Sequence, residues 1–192
     1  MSAVATIHMP RSSNTRTAPA TAGSQDGVIV RGRAARGVLA GLRILVGWTF
    51  LWPFLDKMFG LGFATKTEAA VIHGGSPTAG FLLHGTKGPF AHAFDGVAGA
   101  PWLDALFMLG LLGIGLAFLL GIGTRIAAVS CTAMMAFMYL VTLQPASNPI
   151  TDDHWMIALA AVAVAVTGAG SYFGLGRRWQ ELALVRRFRW LV

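Results

Sequence analysis

The sequence predicts an all-α integral membrane protein, a bundle of four transmembrane helices with both termini in the cytoplasm. Of its 192 residues, 55% are hydrophobic and only 12% are charged, and the mean hydropathy is +0.62. A soluble domain of this length rarely has such a composition. Four apolar stretches each approach the roughly 20 residues that a helix needs to cross the hydrocarbon core. Basic residues gather on one side of these stretches.

Residues 1–35 precede the first stretch and are rich in Ser, Thr, Ala and Arg, without a sustained hydrophobic period. This composition is typical of a disordered tail. A secretory signal would need an apolar core and a small-residue cleavage site, and neither precedes Gly37. We therefore expect a disordered basic tail in the cytoplasm.

A four-helix transmembrane domain is expected over residues 36–176. Its spans are predicted at about residues 37–59, 102–122, 124–143 and 154–173. Residues 60–101 are longer than a simple connector, which favours an ordered outer cap. Small residues should let the helices approach closely. They recur every four positions at Gly37 and Gly41 on the first span, and at Gly113, Ala117 and Gly121 on the second.

The distribution of charge predicts the orientation. Eleven of the fifteen Lys and Arg residues fall before the first span, in the second connection or after the last span: Arg11, Arg16, Arg31, Arg33, Arg36, Arg125, Arg177, Arg178, Arg186, Arg187 and Arg189. The positive-inside rule places this face in the cytoplasm. Residues 177–192 mix arginine with Trp and Leu, which is typical of a basic amphipathic tail lying on an anionic membrane surface.

Composition also excludes several classes of function. The net charge of +7 does not indicate nucleic-acid binding, because the arginines flank apolar runs. Cys131 is the single cysteine, which excludes an internal disulfide or a dithiol redox pair and predicts a buried, inert thiol. No pair of mid-span histidines could ligate haem, and the histidine spacings match no metal motif. We expect neither haem nor metal.

Arg43 is the charged residue that lies away from the ends of a predicted span. A charged side chain at mid-bilayer costs about 2.5 to 3.5 kcal/mol on insertion scales. Because Arg43 lies some two turns from the cytoplasmic end, its side chain could extend to the inner headgroups. The alternative interpretation is that it anchors an acidic cofactor or partner.

Asp56 and Lys57 lie at the outer end of the first span. A helix C-terminus favours Lys57 and opposes Asp56, so Asp56 raises a functional question. Pro53 frees a carbonyl one turn earlier and is expected to kink the helix, opening a space near the pair. Trp48 and Trp52 would flank that space, although an interfacial aromatic belt also explains Trp52.

The motif NPITDDHW, residues 148–155, precedes the fourth span. Asn148 and Pro149 have the order of an N-cap and a first helical residue, and Asp152 and Asp153 suit the positive end of a helix. Capping leaves His154 unexplained. A histidine beside two acids at a membrane boundary could accept or pass protons near neutral pH.

Four blocks in order resemble the DoxX/DoxD family of small membrane proteins: LRILVGWTFLWPFLDKMFGLGF, GLLGIGLAFLLGIGTRIAA, NPITDDHW and GAGSYFGLGRRW. The likeness runs from about Arg36 to Trp179. Matching polar positions are Arg43, Lys57, Arg125, Asn148, Asp152, Asp153 and His154. One departure is that Trp52 and Pro53 stand where the family often has a glycine. The resemblance implies a four-helix bundle in the bacterial inner membrane.

The DoxD-like branch of the family includes the membrane subunit of thiosulfate:quinone oxidoreductase. The resemblance therefore implies a membrane subunit of a quinone-linked sulfur or thiol oxidoreductase, with a second redox subunit or cytoplasmic redox enzyme supplying the redox groups. Candidate quinone or substrate contacts are Arg43, Trp48, Trp52, Asp56, Lys57, Asn148, Asp152, Asp153 and His154. The alternatives are a non-catalytic anchor that assembles redox enzymes and a small-molecule carrier, the latter disfavoured because no inverted repeat is evident.

Overall fold

The computed structural model describes residues 30, 32–90, 92–143, 148 and 150–192, so most of the predicted N-terminal tail lies outside the described residues. Within these ranges every regular element is helical, which confirms the all-α class. The α-helices are α1 Arg33–Phe59, α2 Ala79–His84, α3 Pro101–Leu120, α4 Thr124–Val141, α5 Asp153–Val166, α6 Gly176–Glu181 and α7 Ala183–Arg187.

Three of these helices, α1, α3 and α4, are long and apolar enough to cross a membrane. The fourth apolar helix, α5, has 14 residues and is therefore ~21 Å long. The span predicted to reach Phe173 ends earlier, at Val166. The Thr167 hydroxyl donates to the carbonyl of Ala163, and Gly168 adopts a φ of 63°, after which a short 3₁₀ turn follows.

The four apolar helices form a ring in which α1 and α4 each pack against α3 and α5. Neighbours run antiparallel, because Arg43 near the start of α1 reaches Phe118 near the end of α3. In the same way Tyr139, near the end of α4, stacks against Trp155 at the start of α5. Side chains such as Phe118 and Cys131 are completely buried between the helices.

The antiparallel arrangement gives the bundle two distinct ends. The arginine end collects the start of α1, the start of α4 and the C-terminal segment, with Arg33, Arg36, Arg125 and Arg177. The cap end carries the end of α1, residues 60–100 and the start of α5. The position of each candidate residue along the bundle axis therefore determines which other candidate residues it can contact.

Helices α1 and α3 meet through two glycines. A Cβ on Gly47 would lie 2.8 Å from the backbone nitrogen of Leu119, and one on Gly115 would lie 2.9 Å from that of Leu51. These separations are shorter than real Cβ contacts, so the two backbones can approach this closely only with glycine at both positions.

The glycine rows predicted from the sequence are wrong at three positions. A Cβ built on Gly37, Gly41 or Gly113 would meet no atom within 4 Å. Gly121 does make a close contact, since its Cβ would lie 2.6 Å from the carbonyl oxygen of Gly170. A four-residue spacing identifies a row of small residues, whereas the tilt and rotation of the packed helices decide which row faces a neighbour.

Residues 60–100 are tied to the bundle by hydrogen bonds. The Asp104 carboxylate, in the first turn of α3, accepts from the Thr78 hydroxyl at 2.6 Å and from the Ser76 hydroxyl at 2.9 Å. The backbone nitrogen of Lys87 donates to the carbonyl of Val141 at the end of α4 at 2.9 Å. The segment is thus held against both the start of α3 and the end of α4.

The C-terminal segment, predicted as a basic amphipathic tail, forms two short helices, α6 and α7. Leu182, with φ −62° and ψ 135°, is extended and separates α6 from α7. The Trp179 indole then donates to the carbonyl of Leu191 at 2.8 Å, and the backbone nitrogen of Arg125 donates to that of Val192 at 3.2 Å. The segment therefore folds back onto the arginine end.

Candidate functional site

Arg43 is fully buried. Its Nη1 donates to the carbonyls of Phe118 and Leu119 in the last turn of α3, and its Nη2 donates to those of Tyr172 and Phe173 at 3.5 and 3.4 Å. The prediction that this side chain extends to the headgroups is wrong. The last carbonyls of a helix lack intrahelical partners, and here they lie at the level of the guanidinium.

Two glycines make room for this guanidinium. A Cβ on Gly121 would lie 2.9 Å from Nη1 of Arg43, and one on Gly174 would lie 3.1 Å from Nη2. Gly121 also has a φ of 74°, a conformation that side chains rarely adopt. The arginine is thus a fixed clamp between α3 and the 172–174 turn. Its partners lie so far along the chain that no sequence signal pairs them.

Asp56 is buried, and its carboxylate accepts hydrogen bonds from the loop that follows α1. Its Oδ1 accepts from the backbone nitrogen of Phe63 at 3.2 Å, and its Oδ2 accepts from that of Ala64 at 3.0 Å. These two bonds account for a carboxylate that the helix dipole opposes. Lys57 is half-buried and forms no hydrogen bond or ion pair with any residue that the structure describes.

The tryptophans of α1 lie in a row of three rings. Trp48 is half exposed and its ring centroid is 5.7 Å from that of Trp52, which meets Phe63 edge-on at 5.0 Å. The helix runs through Pro53 without a break. The row therefore extends along α1 to the loop that Asp56 holds.

The start of α5 differs from the prediction. The N-cap is Asp152 and not Asn148, because the Asn148 side-chain oxygen accepts instead from the backbone nitrogens of Ile150 and Thr151 at 3.0 and 3.3 Å. This local turn delays the helix, which begins at Asp153.

The two carboxylate oxygens of Asp152 make different contacts, one with the backbone and one with the side chain of His154. Oδ1 accepts the backbone N–H of His154 at 3.1 Å, as an N-cap does, and Oδ2 lies 2.6 Å from Nδ1 of the imidazole. The His154 side chain is 23% exposed and that of Asp152 is 9% exposed. With Nδ1 held by the carboxylate, Nε2 is the ring position that can exchange a proton with a ligand.

An aromatic pair adjoins this histidine. Trp155, the next residue of α5, packs edge-on against Tyr139 with ring centroids 5.3 Å apart. Oxygen or nitrogen atoms of Asp152, Asp153 and His154 lie within 4.8 Å of one another, close enough to share a metal ion. Helix capping and the contact with His154 already occupy the Asp152 oxygens, so the acids have a local explanation.

The nine predicted contact residues do not form one site. Arg43 belongs to the arginine end, ~20 Å along α1 from Asp56 at 1.5 Å per residue. Trp48 and Trp52 lie on the side of α1. Asp56, Lys57, Asn148, Asp152, Asp153 and His154 lie at the cap end, where no hydrogen bond between described residues links the α1 pair to the α5 group.

A concave surface that the sequence analysis missed lies at the arginine end. Two adjoining cavities of about 470 and 620 Å³ share Arg36, Ser171, Tyr172 and Arg177 as lining residues. The cluster of arginines was visible in the sequence, but its concave arrangement depends on the 3₁₀ turn after α5 and on the folded-back C-terminal segment.

Comparison of the chain with protein-family models, curated proteins and solved structures gives no match. The resemblance to the DoxX/DoxD family stays a prediction. The class that the fold supports is an all-helical protein with three helices able to span a membrane and a shorter apolar fourth.

Proposed function

We propose that the chain is a multi-pass membrane subunit that binds a quinone headgroup beside His154 at the cap end, while a partner supplies electrons. The observation that carries this proposal is the 2.6 Å contact between Nδ1 of His154 and Asp152. It orients the ring and leaves Nε2 for a ligand. The resemblance to the DoxD-like branch suggests the identity of the electron donor, which would be a sulfur compound or thiol that the partner oxidises.

The topology that accompanies this proposal has four crossings in a bacterial inner membrane. Both termini lie in the cytoplasm, and the cap end faces outward. Support comes from the arginines gathered at one end, which the positive-inside rule assigns to the cytoplasm. In this arrangement α5 and the 3₁₀ turn Ala169–Ser171 together complete the fourth crossing.

The chemistry requires two electrons and two protons for each quinone reduced to quinol. The partner would supply both electrons, and His154 would deliver the two protons one after the other from Nε2, taking up a proton from water before each transfer. The Asp152 carboxylate would stabilise the imidazolium that forms when the ring is protonated. Trp155 and Tyr139 provide an aromatic wall next to the histidine. The single cysteine cannot form a dithiol, so the electrons must come from outside the chain.

The test is the quinone content of the purified protein and the partner-coupled reduction rate. We expect quinone to copurify with the wild type, and His154→Gln to lower the coupled rate about 100-fold or more, the usual value of a positioned acid–base group. Asp152→Asn should lower the rate as well, while the asparagine still caps α5. His84→Gln, at an exposed position of α2, is the matched control.

Wild-type protein that retains no added quinone would overturn the proposal. Equal rates for His154→Gln and His84→Gln would remove the histidine from the mechanism.

The anchor function is a second candidate, favoured by exposed arginines outside the two cavities. Arg178, Arg186 and Arg187 project from α6 and α7, and none of the three forms an ion pair within the described chain. Cross-linking from these positions to a cytoplasmic redox enzyme, in a protein without bound quinone, would support the anchor over the quinone subunit.

A further inference from the structure

The larger cavity at the arginine end, which we name the arginine cleft, is lined by Arg33, Arg36, Ser171, Tyr172, Phe173, Gly174 and Arg177. Its volume is about 620 Å³, and the adjoining cavity adds Arg125 and Arg189. Neither cavity is lined by an Asp or Glu among the described residues. Three guanidinium groups thus converge on one concave surface, where like charges repel unless an anion joins them.

The three arginines of the cleft, Arg33, Arg36 and Arg177, are not paired with acidic side chains of the described residues. The planar guanidinium presents several N–H donors in a fork that matches the oxygens of a phosphate group. The chemistry of the lining therefore selects a phosphate-bearing ligand.

Arg36 is already held in place. Its Nε donates to the carbonyl of Val30 at 2.9 Å, and its guanidinium carbon lies 5.5 Å from the centre of the Tyr172 ring. Tyr172 is buried, and its hydroxyl donates to the carbonyl of Thr167 at 3.3 Å. These contacts leave the two terminal nitrogens of Arg36 for a ligand and reduce the entropy lost on binding.

An apolar surface borders the cleft. Phe173 is 84% exposed and has a φ of 52°, a left-handed conformation that is costly for a residue with a side chain. Val166 at the end of α5 lines the adjoining cavity and is also exposed, at 60%. A soluble anion would occupy only the polar part of the cleft, whereas the acyl chains of a phospholipid bound there would also lie over Phe173 and Val166.

We propose that the arginine cleft binds the phosphate of an anionic phospholipid, with the acyl chains lying against Phe173 and the neighbouring apolar surface. The guanidinium groups of Arg33, Arg36 and Arg177 hold the phosphate. This site is separate from the proposed quinone site beside His154, because the two sites lie at opposite ends of the bundle.

The experiment compares two triple variants that lose the same charge from the same end. The cleft variant is Arg33→Gln/Arg36→Gln/Arg177→Gln, and the control is Arg178→Gln/Arg186→Gln/Arg187→Gln, whose residues do not line the cavities. Native mass spectrometry in detergent measures how much phosphatidylglycerol each protein retains, with phosphatidylcholine as the lipid without net charge.

We expect the wild type and the control to retain phosphatidylglycerol over phosphatidylcholine. The cleft variant should bind it at least about tenfold more weakly, which is a loss of about 1.4 kcal/mol of binding free energy. The single changes Arg33→Gln and Arg177→Gln, at exposed positions, should each weaken binding in part, so the result does not require the triple variant to fold.

A second arm distinguishes the source of the phosphate. Thermal unfolding of the wild type is measured with inorganic phosphate and with phosphatidylglycerol. A rise in Tm with the lipid alone supports the proposal, and an equal rise with inorganic phosphate would assign the cleft to a soluble anion. Equal loss of lipid from the cleft and control variants would overturn the site, since it would show diffuse attraction to a basic surface.

Discussion

At the scale of single residues, the two buried charged groups of α1, Arg43 and Asp56, act mainly on the backbone. Arg43 donates to carbonyls at the arginine end, and Asp56 accepts from backbone nitrogens at the cap end. Each sits where the ends of helices or their following loops leave backbone groups without partners. Charge inside a membrane helix is therefore no direct sign of a ligand in this chain.

Replacing Arg43 should destabilise the protein strongly. Arg43→Gln leaves carbonyls of α3 and of the 172–174 turn without donors, and buried groups left unsatisfied cost about 1 to 3 kcal/mol each. We expect the free energy of unfolding, measured by SDS titration in mixed micelles, to fall by at least about 2 kcal/mol. Arg43→Lys should also destabilise, because one ammonium group cannot reach both sets of carbonyls.

Arg178→Gln is the control, since this exposed arginine should change stability by less than about 0.5 kcal/mol. A stable Arg43→Lys variant would show that charge alone, and not the forked geometry, is required.

Replacing Asp56 tests whether its carboxylate is structural. Asn at this position offers one acceptor oxygen to the two nitrogens of Phe63 and Ala64, so Asp56→Asn should cost about 1 to 3 kcal/mol of unfolding free energy. Glu68→Gln, at an exposed position of the same end, should be nearly neutral. If Asp56→Asn leaves the free energy of unfolding unchanged but abolishes quinone binding, Asp56 is a ligand-binding residue and not a structural one.

At the scale of elements, α1 and α3 are joined by close backbone contact at Gly47 and Gly115. The apolar runs predicted α1, α3 and α4 to within about one helical turn, because a run of hydrophobic residues bounded by polar ones reports length directly. The apolar runs predicted a fourth helix that is longer than the 14-residue helix α5. Ala169 is as apolar as the residues before it, and the stop comes from the backbone conformation of Gly168.

A matched pair of glycine substitutions tests the α1–α3 contact. Gly115→Ala places a Cβ 2.9 Å from the backbone nitrogen of Leu51, which must move, at a cost of about 1 to 3 kcal/mol. Gly113→Ala, two residues earlier on the same helix, meets open space and should be neutral or stabilising. Thermal unfolding in detergent should separate the two variants clearly. Equal Tm values would mean that the helices do not meet at Gly115.

At the scale of the whole molecule, long-range hydrogen bonds place the C-terminal segment at the same end as the start of α1. Arg43 reaches Tyr172 and Phe173, and the backbone of Arg125 meets that of Val192. These contacts are the structural support for an even number of crossings. They could not be read from the sequence, which showed where the arginines fall but not which segments meet.

Cysteine labelling tests this topology. In a Cys131→Ser background, we expect Glu68→Cys to react with a membrane-impermeant maleimide on intact spheroplasts, because residue 68 lies at the cap end. Arg178→Cys should react only after the membrane is permeabilised. Labelling of Arg178→Cys on intact spheroplasts would mean that α5 does not cross, or that the bundle has the opposite orientation.

The candidate site was predicted less well than the fold. The motif at residues 148–155 identified His154 as unexplained by capping, and the structure gives it a partner in Asp152. The arginine cleft escaped prediction because its walls come from α1, from the turn after α5 and from α6. Residues distant in sequence form such a surface only once the bundle has closed.

The clamp around Arg43 joins segments of the chain that are made at different times during synthesis. The guanidinium enters the translocation machinery before its acceptors exist, since the carbonyls of Phe118 and Phe173 lie 75 and 130 residues further along. At about 5 to 20 residues per second, the last of them is made roughly 6 to 26 s later. The carbonyls of Phe118 and Leu119 become available earlier in that interval, but the clamp around Arg43 is complete only once Phe173 has been made.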